Sequence, residues 1–231
     1  MKSIIVKTVF LFSLCSSLVT AQEDSLKQVI DTAEYEQALM RLQEFHATVT
    51  TLTAQFVQDK IIVPFNDMEE SSGSFAMKKP ALFMWQFNVP EQQKVVIKEE
   101  RGYIFNDSLK QTQIFSVEEN NFLDFLLAGL SKPLGEYFVN FNVTLFSGIE
   151  NEQKVYHYKM IPNKEDLKNY VSSCEVSFSQ DTLLPVSARL VESSGDVTRI
   201  RFSDIKVNEP IDEAQFSTVI PSDYEVLDYR Q

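Results

Sequence analysis

Two periodicities divide the chain. Over residues 25–46 the apolar side chains Leu26, Val29, Ile30, Ala33, Leu39, Leu42 and Phe45 recur at three- and four-residue steps. Lys, Glu, Gln and Arg fill the gaps, so the pattern predicts an amphipathic helix. Beyond it the period falls to two. Residues 48–57 alternate Leu52, Ala54 and Phe56 against polar neighbours and read as a strand, and the acidic stretch 58–72 reads as a connection.

Residues 73–90 carry the clearest pattern. Phe75 and Met77 share one strand face with Lys79, and after the Pro80 bend Phe83, Trp85 and Phe87 share a face of the next strand. Short strands are then predicted over 94–99, 101–106, 111–117, 138–146, 156–161, 174–179, 185–191 and 197–207. The breaks between the later ones fall at Ser147-Gly148, Pro162-Asn163, Gln180-Asp181 and Ser193-Ser194-Gly195-Asp196. In 197–202 the alternation is strict, with Arg199 and Arg201 on one face and Ile200 and Phe202 on the other. Strands at this spacing predict one twisted antiparallel sheet or barrel in a single α+β domain. Residues 121–130 interrupt them with Phe122, Leu123, Phe125, Leu126, Leu127 and Leu130. A helix apolar on nearly every side is either buried on two faces or laid across an apolar opening.

The N-terminus changes the picture of location. Lys2 and Lys7 precede and flank the apolar run 9–14, and Val19-Thr20-Ala21 supplies small residues at the cleavage positions, which is a secretory signal peptide. The expected domains are therefore a cleaved segment, 1–21, and one mature domain, 22–231, secreted and not anchored in the membrane. Leu14 before Cys15 does not fit a lipobox. Cleavage removes two lysines and no acids, so the formal charge of −12 becomes −12 − 2 = −14. That charge disfavours nucleic acid and anionic lipid surfaces. Cys174 remains as the single cysteine of the mature chain and reads as a buried, inert thiol.

Catalytic chemistry finds little purchase. His46 and His157 are the two histidines, and neither sits in a recognisable motif. His-Glu-x-x-His, Cys-x-x-Cys, Gly-x-Ser-x-Gly and phosphate-binding glycine loops are all missing. The pairs Glu69-Glu70, Glu99-Glu100 and Glu118-Glu119 read as solvated turn charges. The reading is of a protein that is not an enzyme, with no catalytic residue, no cofactor and no metal. The aromatic supply, 18 Phe and 8 Tyr with one Trp, suits either a core or the lining of an apolar pocket.

Several ordered segments together resemble the LolA family of outer-membrane lipoprotein carriers. They are Phe45-His46-Ala47 leading to Ala54-Gln55-Phe56-Val57-Gln58, then Gly73-Ser74-Phe75-Ala76-Met77-Lys78-Lys79-Pro80, Leu82-Phe83-Met84-Trp85-Gln86-Phe87 with Pro90, and Tyr103-Ile104-Phe105-Asn106. Asp196-Val197-Thr198-Arg199-Ile200-Arg201-Phe202 and Phe216-x4-Pro221 match more loosely. The resemblance implies an α+β fold: an incomplete antiparallel β-barrel, or half-barrel, with helices covering its apolar concave face. It implies a monomeric periplasmic carrier that takes the acyl chains of lipoproteins from an inner-membrane ABC release complex to an outer-membrane acceptor. On that basis Phe75, Met77, Phe83, Trp85 and Phe87 are candidates for the acyl-chain cavity, and Phe122, Phe125 and Leu126 for its lid. Lys79 is the candidate latch: the family position is typically Arg, and Lys keeps the charge without the planar fork of donors. Three other readings compete: a lipid- or lipoprotein-sensing regulator of the same fold, a carrier of another lipid or acylated precursor, and an esterase or glycosidase on an unfamiliar β-fold.

Overall fold

The structure, a computed structural model, describes residues 28–65, 67–116 and 139–230. The expected signal peptide and the lid candidates Phe122, Phe125 and Leu126 lie outside the described residues. Among those described, thirteen strands form one sheet in the order β1-β8-β9-β10-β11-β12-β2-β3-β4-β5-β6-β7-β13. Two meanders make it up. The first runs through β2 (Thr51–Ile62), β3 (Asp67–Lys78), β4 (Leu82–Val89), β5 (Gln93–Lys98), β6 (Arg101–Asn106) and β7 (Gln111–Ser116). The second comprises β8 (Phe141–Glu150), β9 (Gln153–Pro162), β10 (Val171–Ser179), β11 (Pro185–Glu192) and β12 (Val197–Val207), and β12 joins it to β2.

Two short strands stand at opposite edges. β1 (Gln28–Val29) pairs with β8, while β13 (Glu225–Asp228) runs parallel to β7 and makes the single parallel ladder of the described sheet. The edges do not meet, so the sheet is an incomplete barrel. Helix α1 (Thr32–Thr48) supplies the main helical layer; a short α2 (Glu165–Lys168) follows β9.

The sheet has two different faces. On the concave face Leu52, Ala54, Phe56, Phe75, Met77 and Trp85 pack in one contiguous core with Tyr158, Phe178 and Ile200, and Ala38, Leu42 and Val49 close it from the helix side. These α1 positions, with half-buried Tyr35, Leu39 and Phe45, repeat at three and four residues, while Met40 faces water. On the convex face Ala76, Met84, Val96 and Phe105 form a smaller core around Phe216, which the returning C-terminal segment brings in with Ile211 and Ile220. Ion pairs Lys78–Glu213 and Lys110–Asp223 tack that segment down at the surface, where such pairs contribute little.

Four expectations are corrected. The helix starts later than residue 25, because Asp31 caps it: its side chain accepts from the Glu34 amide at 2.9 Å, and residues 28–29 pair as β1 instead. Residues 58–62 and 67–72 are not a connection but the ends of two twelve-residue strands paired from Thr51↔Lys78 to Ile62↔Asp67. These ends project past the core, both faces meet water, and no alternation is left to read. Ser147-Gly148 lies within β8; the turn falls at Asn151 and Glu152, both left-handed at φ 48 and 65. Finally, β13 and α2 were not anticipated, each being four residues long and too short to show a period.

Gly73 is fixed by a close approach. A Cβ there would stand 1.8 Å from the carbonyl oxygen of Gln86, at the point where the β3–β4 register shifts. Gly73→Ala is therefore expected to destabilise the protein by about 1–3 kcal/mol, read from the midpoint of denaturant unfolding. Burial, with the adjacent Glu175 carboxylate adding to it, pushes the Cys174 thiol up to about 12. A thiol-reactive dye at pH 8 should leave the native protein unlabelled and modify Cys174 only once the chain is unfolded.

Candidate functional site

Strand register builds the concave wall in rows. One row sets Leu52, Met77, Phe83 and Ile97 side by side, and the next sets Ala54, Phe75, Trp85 and Val95. A third holds Phe202, Phe56, Gly73, Phe87 and Gln93. Five of these positions, Phe75, Met77, Phe83, Trp85 and Phe87, are the residues that the sequence proposed for a cavity, and period-2 geometry puts them on one surface. Trp85 is the hub. Its ring lies 4.9 Å from Phe75, 5.0 Å from Phe56 and 6.4 Å from Phe202, with Phe87 against Phe56 at 5.3 Å. Phe75, Met77 and Trp85 are buried, whereas Phe83 and Phe87 are half-buried at the margin of the core.

Two polar atoms sit unmatched in this apolar surround. Among the described residues, neither the Trp85 indole N–H nor the Tyr158 hydroxyl has a hydrogen-bond partner, although both residues are buried. Such a group carries a desolvation cost that an incoming acceptor would relieve. Burial pushes the Tyr158 phenol well above its ordinary range, so it stays protonated and able to donate.

Among the described residues, three polar ties hold α1 across the wall. Lys79 Nζ donates to the His46 carbonyl oxygen at 2.6 Å, Arg41 donates to the Gln180 carbonyl at 3.1 Å, and Asn208 Nδ2 donates to the Thr48 carbonyl at 3.1 Å. The Asn208 side chain also accepts from the Thr50 amide at 2.8 Å, which fixes the turn from α1 into β2. Lys79 thus reaches the last turn of α1, where helix carbonyls lack internal partners and favour a cation. Burial lowers its pKa from the ordinary lysine value. Arg41 and Asn208 carried no sequence signal, because their partners are backbone atoms far away in the chain.

The opposite face holds a different polar group. His157 Nδ1 lies 2.8 Å from Ser177 Oγ and 3.5 Å from Glu175 Oε1. Both approaches fall on the same ring nitrogen, Nδ1. Among the described residues, no group of three His, Cys, Asp or Glu is placed to hold a metal, and no helix is long and apolar enough to cross a membrane.

The described residues line at least two cavities. A polar one of about 680 Å³, lined by Lys98, Glu100, Arg101, Tyr103 and Thr218, lies on the convex side, away from the aromatic wall. The other, about 560 Å³, continues from Phe87 and Val89 to Gln58, Ser71 and Gln93 and adjoins the wall directly.

The described residues thus form an open antiparallel half-barrel with a helix tied across its aromatic concave face. Residues 47–219 match the family model described as outer membrane lipoprotein carrier protein LolA, and the chain belongs to that family. An outer-membrane lipoprotein carrier protein of Azotobacter vinelandii is 26% identical over 194 residues, covering 83% of this chain and 88% of the relative. The protein of the same name from Pseudomonas paraeruginosa is 24% identical over 225 residues, covering 96% and 98%. An uncharacterized conserved protein from Thermus thermophilus superposes with a TM-score of 0.55 at 16% identity over 84% of this chain and 99% of its own, a likeness of fold alone. The family is one of carriers and not of enzymes.

Lys79→Met removes one tie to α1 while keeping the aliphatic stem. A charge-assisted bond to a backbone carbonyl contributes about 1.5–3 kcal/mol at most, less where water competes. Amides in the last two turns of α1 should exchange roughly tenfold faster in the variant, with those of β3 and β4 unchanged; Lys79→Arg should restore protection.

Proposed function

We propose that the protein is a periplasmic carrier that holds the acyl chains of lipoproteins against the concave aromatic wall and moves them from an inner-membrane release complex to an outer-membrane acceptor. Phe75, Met77, Phe83, Trp85 and Phe87 form the acyl-chain surface, Lys79 latches α1 over it, and Phe122, Phe125 and Leu126 belong to the lid. The observation that carries this reading is the continuous aromatic face, in a chain whose family and relatives are named for lipoprotein carriage.

The chemistry favours such a role. Acyl chains in water cost roughly 0.8 kcal/mol per CH₂, so passage through an aqueous compartment requires burial. Release requires that the burial be non-directional and the cover displaceable. Aromatic and Met side chains provide the first, and a helix held, among the described residues, by a few hydrogen bonds and an apolar stripe provides the second. Chains entering between α1 and the wall exchange one set of apolar contacts for another, so the difference in free energy stays small. The unmatched Trp85 N–H offers a donor to a carbonyl of the cargo that reaches the wall.

Trp85 is the sole tryptophan, which makes the wall directly observable. A triacylated lipopeptide carrying brominated acyl chains should quench Trp85 emission on contact, and the unbrominated analogue should not. Quenching no greater than that of free tryptophan would contradict placement of the chains here. Phe83→Glu puts a carboxylate on the half-buried margin of the wall. It is expected to weaken lipopeptide binding at least tenfold with the far-UV spectrum and cooperative melting retained; global unfolding would instead identify Phe83 as a packing residue.

A further inference from the structure

The concave face carries a polarity gradient along its strands. Past the row of Phe202, Phe56 and Phe87, the next row is Ile200, Gln58 and Ser71, and the one after it is Thr198, Lys60 and Glu69. The cavity of about 560 Å³ sits at this transition, with Phe87, Val89 and Pro90 on its dry side and Gln58, Lys60, Glu69, Glu70, Ser71, Glu91 and Gln93 on its wet side. Its lining cation, Lys60, lies across the strand pair from Glu69 and 3.9 Å from Glu192, and is outnumbered by the carboxylates of Glu69, Glu70 and Glu91. Among the described residues, Glu69, Glu70 and Glu91 form no ion pair. The Ser71 hydroxyl is buried and, among the described residues, unpartnered. The cavity is therefore amphipathic and carries a net negative charge, and its dry end is Phe87, which packs onto the wall through Phe56.

We infer that this cavity is the head-group end of the acyl-chain site, and that its carboxylates make it accept the uncharged glyceryl-cysteinyl end of an acylated polypeptide and refuse anionic phospholipids. The inference rests on the carrier reading above and adds a selectivity to it. A wall of hydrocarbon contacts recognises chains and not what they are attached to, so a carrier loading from a membrane needs a second criterion. A phosphate set beside Glu69 and Glu91 meets like charge that Lys60 alone does not offset. A neutral glyceryl ester meets Ser71, Gln58 and Gln93, which can hydrogen-bond its carbonyls.

The test is a competition read by native mass spectrometry. Equimolar N-acetyl-S-(dipalmitoylglyceryl)cysteinyl-Ser-Ser-amide, which is uncharged, and dipalmitoyl phosphatidylglycerol, which has the same two chains and one negative charge, are presented to the full mature chain. The wild type should load the lipopeptide about fivefold or more over the phospholipid at low salt, and the ratio should fall towards one in about 1 M NaCl, where charges are screened. Glu69→Lys/Glu91→Lys should raise phospholipid loading about fivefold, while Glu152→Lys/Asp166→Lys, which makes the same change in net charge at distant exposed positions, should not. Equal loading of the two lipids by the wild type at low salt overturns the inference and leaves the carrier reading standing. So does an equal response of the two double variants, which would make the preference a matter of overall charge. Failure of the wild type to load either lipid overturns the carrier reading and this inference with it. The salt dependence of the wild type decides the question even if a charge-reversed variant does not fold.

Discussion

An open sheet with one apolar face has to be covered. Phe56, Phe75, Met77 and Trp85 sit side by side because strand register puts them there, and a curved sheet left with that face in water would associate or collapse. The rest of the molecule follows from the need for a cover. Helix α1 turns its Ala38, Leu42 and Phe45 side onto the wall; Lys79 and Asn208 donate to its last carbonyls and its own Arg41 donates to the Gln180 carbonyl; and the C-terminal segment packs Phe216 on the other face.

The carrier reading requires a cover that can be exchanged. A core built only for stability would match every polar atom, yet the Trp85 indole and the Tyr158 hydroxyl lie buried without a partner among the described residues. Among the described residues the ties on α1 are few, each ends on a backbone carbonyl, and one depends on Lys79. Lysine offers a compact point charge on a flexible stem, so the tie can break and re-form without a planar fork having to be realigned. On the carrier reading proposed above, stability and function pull in opposite directions, because stronger ties would hold the cover more firmly over the wall.

What the chain disclosed in advance follows the same physics. The faces of β3 and β4 were legible because each strand has one dry side, and large aromatic residues at every second position leave no other register. Fold class and family could therefore be read from residues 45–106. The ends of β2 and β3 were not legible, since strands wet on both faces show no alternation, and β1 and β13 are too short to show any. The start of α1 was set by the Asp31 cap against a hydrophobic pattern that ran on upstream. Position 79 stood out through the family resemblance, but its partner did not, because the carbonyl of residue 46 carries no side-chain signature. The polar end of the concave face escaped notice for a related reason: Gln58, Ser71 and Glu91 come together only through strand register and a turn, and along the chain each looks like an ordinary surface residue.

The most direct test of the central claim is native mass spectrometry of the full chain recovered from the envelope of the cells that make it. The account predicts a population heavier than the mature polypeptide, and dissociation of that population should release an acylated polypeptide. A bare mass that is unchanged after incubation with a triacylated lipopeptide would contradict it and leave the concave face as a packed core.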